Sequence, residues 1–267
     1  MSIVFFDLDG TLVDEDGNIP PSAALAIRRL RENGHYCVVN TGRPFRDRDP
    51  ALDALDFDGY VCSCGQHLIF QGRTLLRDGF DRETSRLIAR MGHACRLGMY
   101  FESEEGFWLE NSFPPLAPNL QIAVDRLRRN GEVVVSPLTD ERFRCDKLSI
   151  SYTPDSRLQE FLTFIRPYCE IIDQGRRMYE LPKRGHSKGA GCRKLAQLLH
   201  TPLEDCCAIG DSTNDLSMLR CVGHPIAMGN APEEVAAAAE YVTSYNNNYG
   251  LRRGSQPRLF PSQSRSC

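Results

Sequence analysis

The chain has 267 residues, 41% of them hydrophobic and 25% charged, as in an ordinary soluble globular protein. Its net charge of -3 gives no support for a nucleic-acid or anionic-membrane partner, and no apolar run approaches the roughly 20 residues that span a bilayer. The N-terminus lacks the basic segment and cleavage site of a secretory signal, so the sequence favours a cytosolic protein.

Predicted strands and helices alternate through the first part of the chain. The strand IVFF precedes the helix PSAALAIRRLRENG, in which Ser22 is a candidate N-cap and Gly34 a candidate end. The strands YCVVN and GYVCS follow, and HLIFQGRTLL predicts a hairpin that turns at Gln71 and Gly72. Apolar strands separated by helices indicate a parallel sheet covered on both faces.

The middle of the chain has a different order of elements. A helix begins near Asp81, and one face of it is predicted to hold Leu87, Ile88, Met91 and Cys95. Strand patterns follow in MYFE, GFWLE, EVVVS, KLSISY, CEIID and RRMYELP, with a helix in DSRLQEFLTFIRPY. Strand pairs between helices predict an inserted α+β domain over residues 82–182, with helices on one face of its sheet.

The alternation of strands and helices then returns. SKGAGCRKLAQLLH and STNDLSMLRCVG predict helices, and CCAIGD and PIAMG predict strands. In APEEVAAAAEYV the predicted helix has Pro232 in its first turn, and its apolar face holds Val235, Ala238, Ala239 and Val242. We expect an α/β core of residues 1–81 and 183–250, and a flexible tail over 251–267, which is rich in Ser, Arg, Pro and Gln.

The 11 cysteines are scattered and odd in number. No CxxC pair or nearby histidine suggests a zinc site. Reduced thiols that act as small core hydrophobes are therefore the favoured interpretation.

Polar residues collect where predicted strands end or helices begin, the edge at which open α/β sheets bind ligands. The clusters are Asp7 with Asp9, Thr41 with Gly42 and Arg43, Lys188, and Asp211 with Asn214 and Asp215. Each alone also fits a turn, a helix cap or a solvated charge, but together they indicate a site. Two acids as close as Asp7 and Asp9 need solvent, a cation or a shared chemical task to offset their repulsion.

These clusters resemble the motifs of the haloacid-dehalogenase-like hydrolase superfamily, in its Cof-type phosphatase branch with a large C2-type cap. DLDGT, NTGR, the lysine of HSKGAG and GDSTND match the four motifs in order, and AMGNA and YVT add to the match. The resemblance covers about residues 1–250 and implies a Rossmann-like core with a cap at 82–182. The chain departs from the family at Cys64, where many relatives have Asn.

The resemblance implies a role for each motif residue. Asp7 would be the nucleophile that forms an aspartyl-phosphate, and Asp9 would protonate the leaving oxygen and then help to activate water. Mg²⁺ would bind the Asp7 side chain, the Asp9 backbone carbonyl and Asp211. The other implied roles are positive charge from Lys188, phosphate or substrate contacts from Thr41, Gly42, Arg43 and Asn214, and a position for Asp215 near the metal or Lys188, outside the direct ligands.

The implied activity is Mg²⁺-dependent hydrolysis of small soluble phosphate monoesters such as sugar phosphates. A P-loop is excluded because Gly189 follows Lys188, where Ser or Thr is needed. A dehalogenase has no need of Asp9 as an acid, while a phosphomutase of the same superfamily stays open. A phospho-accepting signalling module without turnover is the alternative from another class. The sequence leaves the physiological substrate and the oligomeric state open.

Overall fold

A computed structural model describes residues 1–13, 18–48, 50–113 and 115–244. The chain divides into two compact units. The core unit contains residues 1–43, 47–76 and the chain from Ser187 onward, and the inserted unit contains residues 44–46 and 77–186. The predicted tail over 251–267 lies outside the described residues, and the domain limits expected from the sequence stay a prediction.

The elements follow the chain in three stretches. The first contains β1 (Ile3–Phe6), α1 (Pro21–Glu32), β2 (Tyr36–Asn40), β3 (Gly59–Cys62), β4 (His67–Phe70) and β5 (Arg73–Arg77). The second contains α2 (Arg82–Ala94), β6 (Gly98–Glu102), β7 (Phe107–Glu110), α3 (Pro118–Arg129), β8 (Val134–Val135), β9 (Lys147–Ser151), α4 (Leu158–Ile165), β10 (Ile172–Asp173) and β11 (Met178–Pro182). The third contains α5 (Lys188–Leu198), β12 (Cys207–Gly210), α6 (Leu216–Leu219), β13 (His224–Ala227), α7 (Glu233–Ala236) and β14 (Tyr241–Val242).

The sheet of the core unit has the strand order β14-β13-β12-β1-β2-β3-β4-β5. Neighbouring strands from β14 to β3 are parallel, and β4 is antiparallel to β3. β1 is buried on both faces: Val4 and Phe6 pack with α1, while Ile3 and Phe5 pack with α5 and α6. This double cover explains why β1 is apolar at every position. The predicted α/β fold is confirmed.

The inserted unit is built on a second sheet, with the order β10-β11-β9-β6-β7-β8. Its neighbours are antiparallel, apart from the parallel pair β7 and β8. Met99 and Phe101 pack with α2 and α4, while Tyr100, on the opposite face, packs with α3. The prediction of helices on one face only is therefore wrong.

Helix α3 was not among the elements predicted from the sequence. Its buried residues Leu120, Val124 and Leu127 follow the i, i+4, i+7 spacing of an amphipathic helix. Pro118 occupies its first turn, where proline is favourable. The signal of this helix is therefore present in the sequence, in a stretch between two strand patterns.

Several local predictions need correction. Ser22 does not cap α1, because Pro21 takes the first helical position and Pro20 precedes it without a side-chain cap. Leu87 does not belong to the buried face of α2, since 45% of it is exposed. The last predicted helix is shorter than expected: α7 ends at Ala236, and Val242 lies in the edge strand β14 with 48% of it exposed.

Other local predictions are confirmed. Gln71 and Gly72 both have positive φ, 47° and 74°, as a two-residue hairpin turn of this kind requires. Gly34 follows the C-cap of α1 with φ 83°. The predicted helix start near Asp81 is also confirmed, since α2 begins at Arg82; the structure adds that Asp81 caps it by accepting a hydrogen bond from Thr84 N.

The cysteines of the described chain are free thiols, and nine of the ten are buried. Burial raises the pKa of the Cys145 thiol to about 12, so this thiol stays protonated near neutral pH. The expectation of small core hydrophobes is confirmed for these residues. Among the described helices, none has the length and apolar character that a bilayer crossing needs.

Candidate active site

The predicted site residues meet at one edge of the core sheet. β1, β2 and β12 are adjacent and parallel, so the residues that follow them emerge at the same edge. Asp7 follows β1, Thr41 follows β2, and Asp211 follows β12. The sheet thereby gathers three motifs that lie far apart in the sequence.

The fourth motif enters through Lys188, the first residue of α5. Its ammonium nitrogen Nζ donates to Asp7 Oδ1 and to Asp215 Oδ1, each at 2.6 Å. All three side chains are buried, with 5% or less of each exposed. Removing one member of such a buried pair typically costs about 3–5 kcal/mol of stability, because the other charge is left uncompensated.

Two contacts hold Lys188 in place. Ser187 caps α5, and its hydroxyl oxygen accepts a hydrogen bond from Ala190 N at 3.0 Å. Asn40, the last residue of β2, donates from Nδ2 to the Lys188 carbonyl oxygen at 3.1 Å. The helix start is therefore tied both to its own first turn and to the central sheet.

The site has more negative than positive charge. Burial raises the pKa of Asp7 well above its ordinary value, and Asp215 adds to the effect while Lys188 opposes it. Burial and Asp215 likewise raise the pKa of Asp211 to about 6. Burial alone would lower the pKa of Lys188, but Asp215 and Asp7 outweigh burial and raise it. One ammonium thus faces three carboxylates, and a further cation would offset the excess charge.

The carboxylates fit a metal ion. Asp7, Asp211 and Asp215 each offer an oxygen atom, and these atoms all lie within 4.8 Å of one another. The Asp7 and Asp211 carboxylates repel each other when both are ionised, and the charge of Asp211 contributes to the raised pKa of Asp7. Oxygen ligands of this kind suit the hard cation Mg²⁺.

Asp211 is oriented by two neighbours that were not predicted as site residues from the sequence. Thr11 donates from its hydroxyl to Asp211 Oδ1 at 3.1 Å. Asn230 donates from Nδ2 to Asp211 Oδ2 at 3.0 Å and to the Gly10 carbonyl oxygen at 3.1 Å. Thr11 lies in the DLDGT motif and Asn230 in the AMGNA motif. The sequence therefore pointed to both segments, but it did not predict that these two side chains contact Asp211.

Asp215 belongs to the acidic cluster but already carries hydrogen bonds on both oxygens. Oδ1 accepts from Lys188, and Oδ2 accepts from the backbone amides of Asp211 and Ser212, each at 3.0 Å. Asp215 is fully buried and accepts four hydrogen bonds, against the two that Asp211 accepts from Thr11 and Asn230, which favours Asp7 and Asp211 as metal ligands. The hydrogen bonds of Asp215 also tie the Asp211 loop to Lys188. A position for Asp215 outside the direct metal ligands stays a prediction.

Asp9 lies beside the cluster with a more exposed side chain. Arg43 forms a two-pronged ion pair with it, in which Arg43 Nε donates to Asp9 Oδ2 at 2.8 Å. The Asp9 side chain is 56% exposed, against 5% for Asp7. Substrate contact was predicted for Arg43 from the sequence, and its pairing with Asp9 was not anticipated.

The sequence comparison identifies the family. The family described as haloacid dehalogenase-like hydrolase matches residues 4–253, nearly the whole chain. The chain belongs to this family. The membership confirms the resemblance drawn from the four motifs, and it makes the chain an enzyme of the phosphatase type.

Curated bacterial phosphatases are similar over most of the chain. The 5-amino-6-(5-phospho-D-ribitylamino)uracil phosphatase YitU of Bacillus subtilis is 27% identical, over 94% of this chain and 95% of its own. The HMP-PP phosphatase of Escherichia coli O8 is also 27% identical, over 87% of this chain and 85% of its own.

Solved structures show the same fold. A hypothetical protein of Geobacillus kaustophilus superposes with a TM-score of 0.80 at 28% identity, covering 95% of this chain and 96% of its own. The HAD subclass IIB sugar phosphatase BT4131 superposes with a TM-score of 0.79 at 25% identity, covering 95% of this chain and 97% of its own.

The loop after β3 contains the departure of this chain from the haloacid dehalogenase-like pattern. Ser63 and Cys64 both have positive φ, 50° and 56°, a conformation that asparagine tolerates better than cysteine. Cys64 N donates to the Thr41 carbonyl oxygen at 3.2 Å, and Ser63 N donates to the Arg43 carbonyl oxygen at 2.9 Å. The loop therefore supports the NTGR segment despite the exchange.

The remaining predicted residues lie in the segments that follow β2 and β12. Thr41 is buried, and its hydroxyl oxygen accepts a hydrogen bond from Arg43 N at 3.2 Å, which leaves the hydroxyl hydrogen able to donate. Gly42 lies between these two residues. Asn214 accepts a hydrogen bond from the Ser212 hydroxyl at 2.8 Å. Phosphate or substrate binding by Thr41, Gly42, Arg43 and Asn214 stays a prediction.

Proposed function

We propose that the chain is a Mg²⁺-dependent phosphatase that hydrolyses small soluble phosphate monoesters, such as sugar phosphates, through an aspartyl-phosphate on Asp7. The observation that carries this proposal is the buried contact of Lys188 with both Asp7 and Asp215, beside Asp211. Buried acids held by one ammonium at the carboxyl ends of parallel strands suit a nucleophile whose target carries negative charge.

In the first half-reaction, a carboxylate oxygen of Asp7 attacks phosphorus and the bond from phosphorus to the leaving oxygen breaks. Asp9 gives its proton to that oxygen, so the product alcohol leaves neutral. Lys188 stays on Asp7 Oδ1 and stabilises charge on the transferring group. Asp7, Asp211 and the backbone carbonyl of Asp9 would hold Mg²⁺, which when bound supplies positive charge to the phosphate oxygens.

In the second half-reaction, a water oxygen attacks phosphorus and Asp9 accepts the proton of that water. The bond from phosphorus to Asp7 then breaks, which returns the carboxylate and releases inorganic phosphate. Arg43 pairs with the Asp9 carboxylate through its guanidinium. An anionic substrate competes with Asp9 for this guanidinium and thereby frees Asp9 for proton transfer.

Relatives support the substrate class at the level of chemistry. By their names, the similar proteins are a 5-amino-6-(5-phospho-D-ribitylamino)uracil phosphatase, an HMP-PP phosphatase and a sugar phosphatase. All are small phosphorylated molecules, so the same class is proposed for this chain.

The test is a phosphate-release screen over sugar phosphates, nucleotides, pyridoxal phosphate and flavin mononucleotide, with and without Mg²⁺. We expect release from at least one monoester with Mg²⁺ and none with excess chelator. Asp7→Asn should lower kcat by at least about 1,000-fold, while Asp56→Asn, an exposed acid of the same unit, should leave it unchanged. A kcat above a tenth of the wild-type value in Asp7→Asn contradicts the assignment of Asp7 as the nucleophile. Isomerised hexose phosphate without phosphate release indicates a mutase.

A further inference from the structure

A cavity separate from the acidic cluster lies within the inserted unit. It has a volume of about 720 Å³, within the range of about 300–1,000 Å³ that is typical of small-molecule sites. Its walls come from the chain just before and at the start of α2, from the segment before β9, from the segment after α4, and from the segment after β11. The residues that line it include Phe80, Tyr168 and four cations: Arg82, Arg144, Lys183 and Arg184.

The charge of this wall is mainly positive. Lys183 is neutralised by an ion pair with Asp78. Within the described ranges, Arg82, Arg144 and Arg184 have no carboxylate within 4.0 Å. The acid of the lining, Asp81, is already engaged, because Oδ1 accepts from Thr84 N at 2.7 Å and Oδ2 accepts from the Thr84 hydroxyl at 3.0 Å. Three guanidinium groups therefore surround the cavity without a counter-charge in direct contact.

Two of the guanidinium groups are held by the backbone. Arg144 Nε donates to the Phe80 carbonyl oxygen at 2.9 Å, and Arg184 Nη1 donates to the Arg166 carbonyl oxygen at 2.8 Å. Since a guanidinium has five N–H donors, each keeps four for a ligand. Planar donors fixed in this way suit the oxygens of a phosphate group, and less entropy is lost when they bind one.

We propose that this cavity binds a small anion with at least two phosphate-type groups, separately from the Asp7 cluster. The ligand is bound and not turned over, because the one carboxylate of the lining is committed to capping α2.

The test uses methylenediphosphonate, which cannot be hydrolysed, and isothermal titration of the full chain in EDTA, where binding at the Asp7 cluster lacks its metal. We expect one site in wild type. Arg144→Gln combined with Arg184→Gln should weaken binding at least about tenfold, which corresponds to about 1.4 kcal/mol. Arg86→Gln combined with Arg90→Gln, a matched exchange farther along α2, should retain wild-type affinity.

Two further measurements make the result decisive. Asp7→Asn should bind the diphosphonate as wild type does, which separates this site from the proposed active site. Arg82→Gln removes a cation with no partner in the described structure, so it tests the site without loss of fold and should weaken binding at least about threefold. No binding by wild type, equal binding by all the arginine variants, or inorganic phosphate binding as tightly as the diphosphonate overturns the proposal.

Discussion

Gly10 shows how closely the backbone approaches the acidic cluster. Its φ is 81°, and a Cβ atom at this position would lie 2.4 Å from Asp211 Oδ2. Such a distance is far inside van der Waals contact, so any side chain would displace the Asp211 carboxylate. Glycine is therefore required here for two reasons: the backbone has a positive φ, and the Asp211 carboxylate occupies the space that a side chain would need.

The first prediction compares Gly10→Ala with Gly34→Ala. Gly34 has nearly the same φ, 83°, but a Cβ atom added there would have no atom within 4 Å. Both variants should lose about 1–2 kcal/mol of stability from the left-handed conformation. Only Gly10→Ala should also lose activity, by at least about 100-fold in kcat, since misplacement of about 1 Å has that effect. Thermal melting measures the stability of both variants, and phosphate release measures their kcat. An equal kcat in the two variants contradicts the proposal that the close approach of Gly10 to Asp211 matters for activity.

At the scale of elements, α5 connects packing to the site. Ser187 caps it, Lys188 is its first residue, and Gly189 N donates to the hydroxyl oxygen of Ser217 in α6 at 3.0 Å. A Cβ at Gly189 would lie 2.0 Å from the Ser217 carbonyl oxygen, so the two helices are in direct backbone contact. The position of the Lys188 ammonium is therefore set by how the helix start is capped and packed.

The second prediction follows from the cap. Ser187→Ala and Asp81→Ala each remove a side chain that caps a helix, in α5 and α2. Each should cost about 1 kcal/mol of stability. Only Ser187→Ala should lower kcat, by about threefold or more, because only α5 carries Lys188. If Asp81→Ala lowers kcat as strongly as Ser187→Ala does, the loss of stability accounts for the lower kcat of both variants, and the position of Lys188 does not.

At the scale of the whole molecule, the two units have separate hydrophobic cores. The acidic cluster belongs to the core unit alone. A cation that binds the folded cluster and not the unfolded chain stabilises that unit by mass action. The inserted unit has no share in this effect, so thermal unfolding need not be a single transition.

The third prediction concerns the metal. Mg²⁺ at about 100 times its Kd should stabilise the core unit by about 2.7 kcal/mol, which raises its unfolding temperature. EDTA should reverse the shift and abolish phosphate release together. Asp211→Asn should show no Mg²⁺ shift, whereas Asp125→Asn, an exposed acid on α3, should shift as wild type does. Differential scanning calorimetry with and without Mg²⁺ measures the unfolding temperature of each variant. If Mg²⁺ raises the unfolding temperature of Asp211→Asn as much as that of wild type, the acidic cluster is not the Mg²⁺ site.

Local sequence determined much of this protein. The apolar run of β1, the turn at Gln71 and Gly72, and the cap at Asp81 each depend on a few neighbouring residues, whose side-chain spacing and backbone preferences act over one or two turns. The four motifs follow strand ends or open a helix, so their meeting at one sheet edge followed from the rules of parallel sheets. The errors arose where packing overrides such signals, as at Leu87.

The tertiary structure decided what each site residue touches. The contact of Lys188 with Asp7 spans 181 positions in the chain, and that of Asn230 with Asp211 joins two different loops. Periodicity places a residue on a face or at an edge, but it does not specify which partner its side-chain atoms reach. That depends on strand order and on how helices pack on the sheet, because hydrogen bonds and ion pairs form only within about 3 Å, a distance that the whole fold sets.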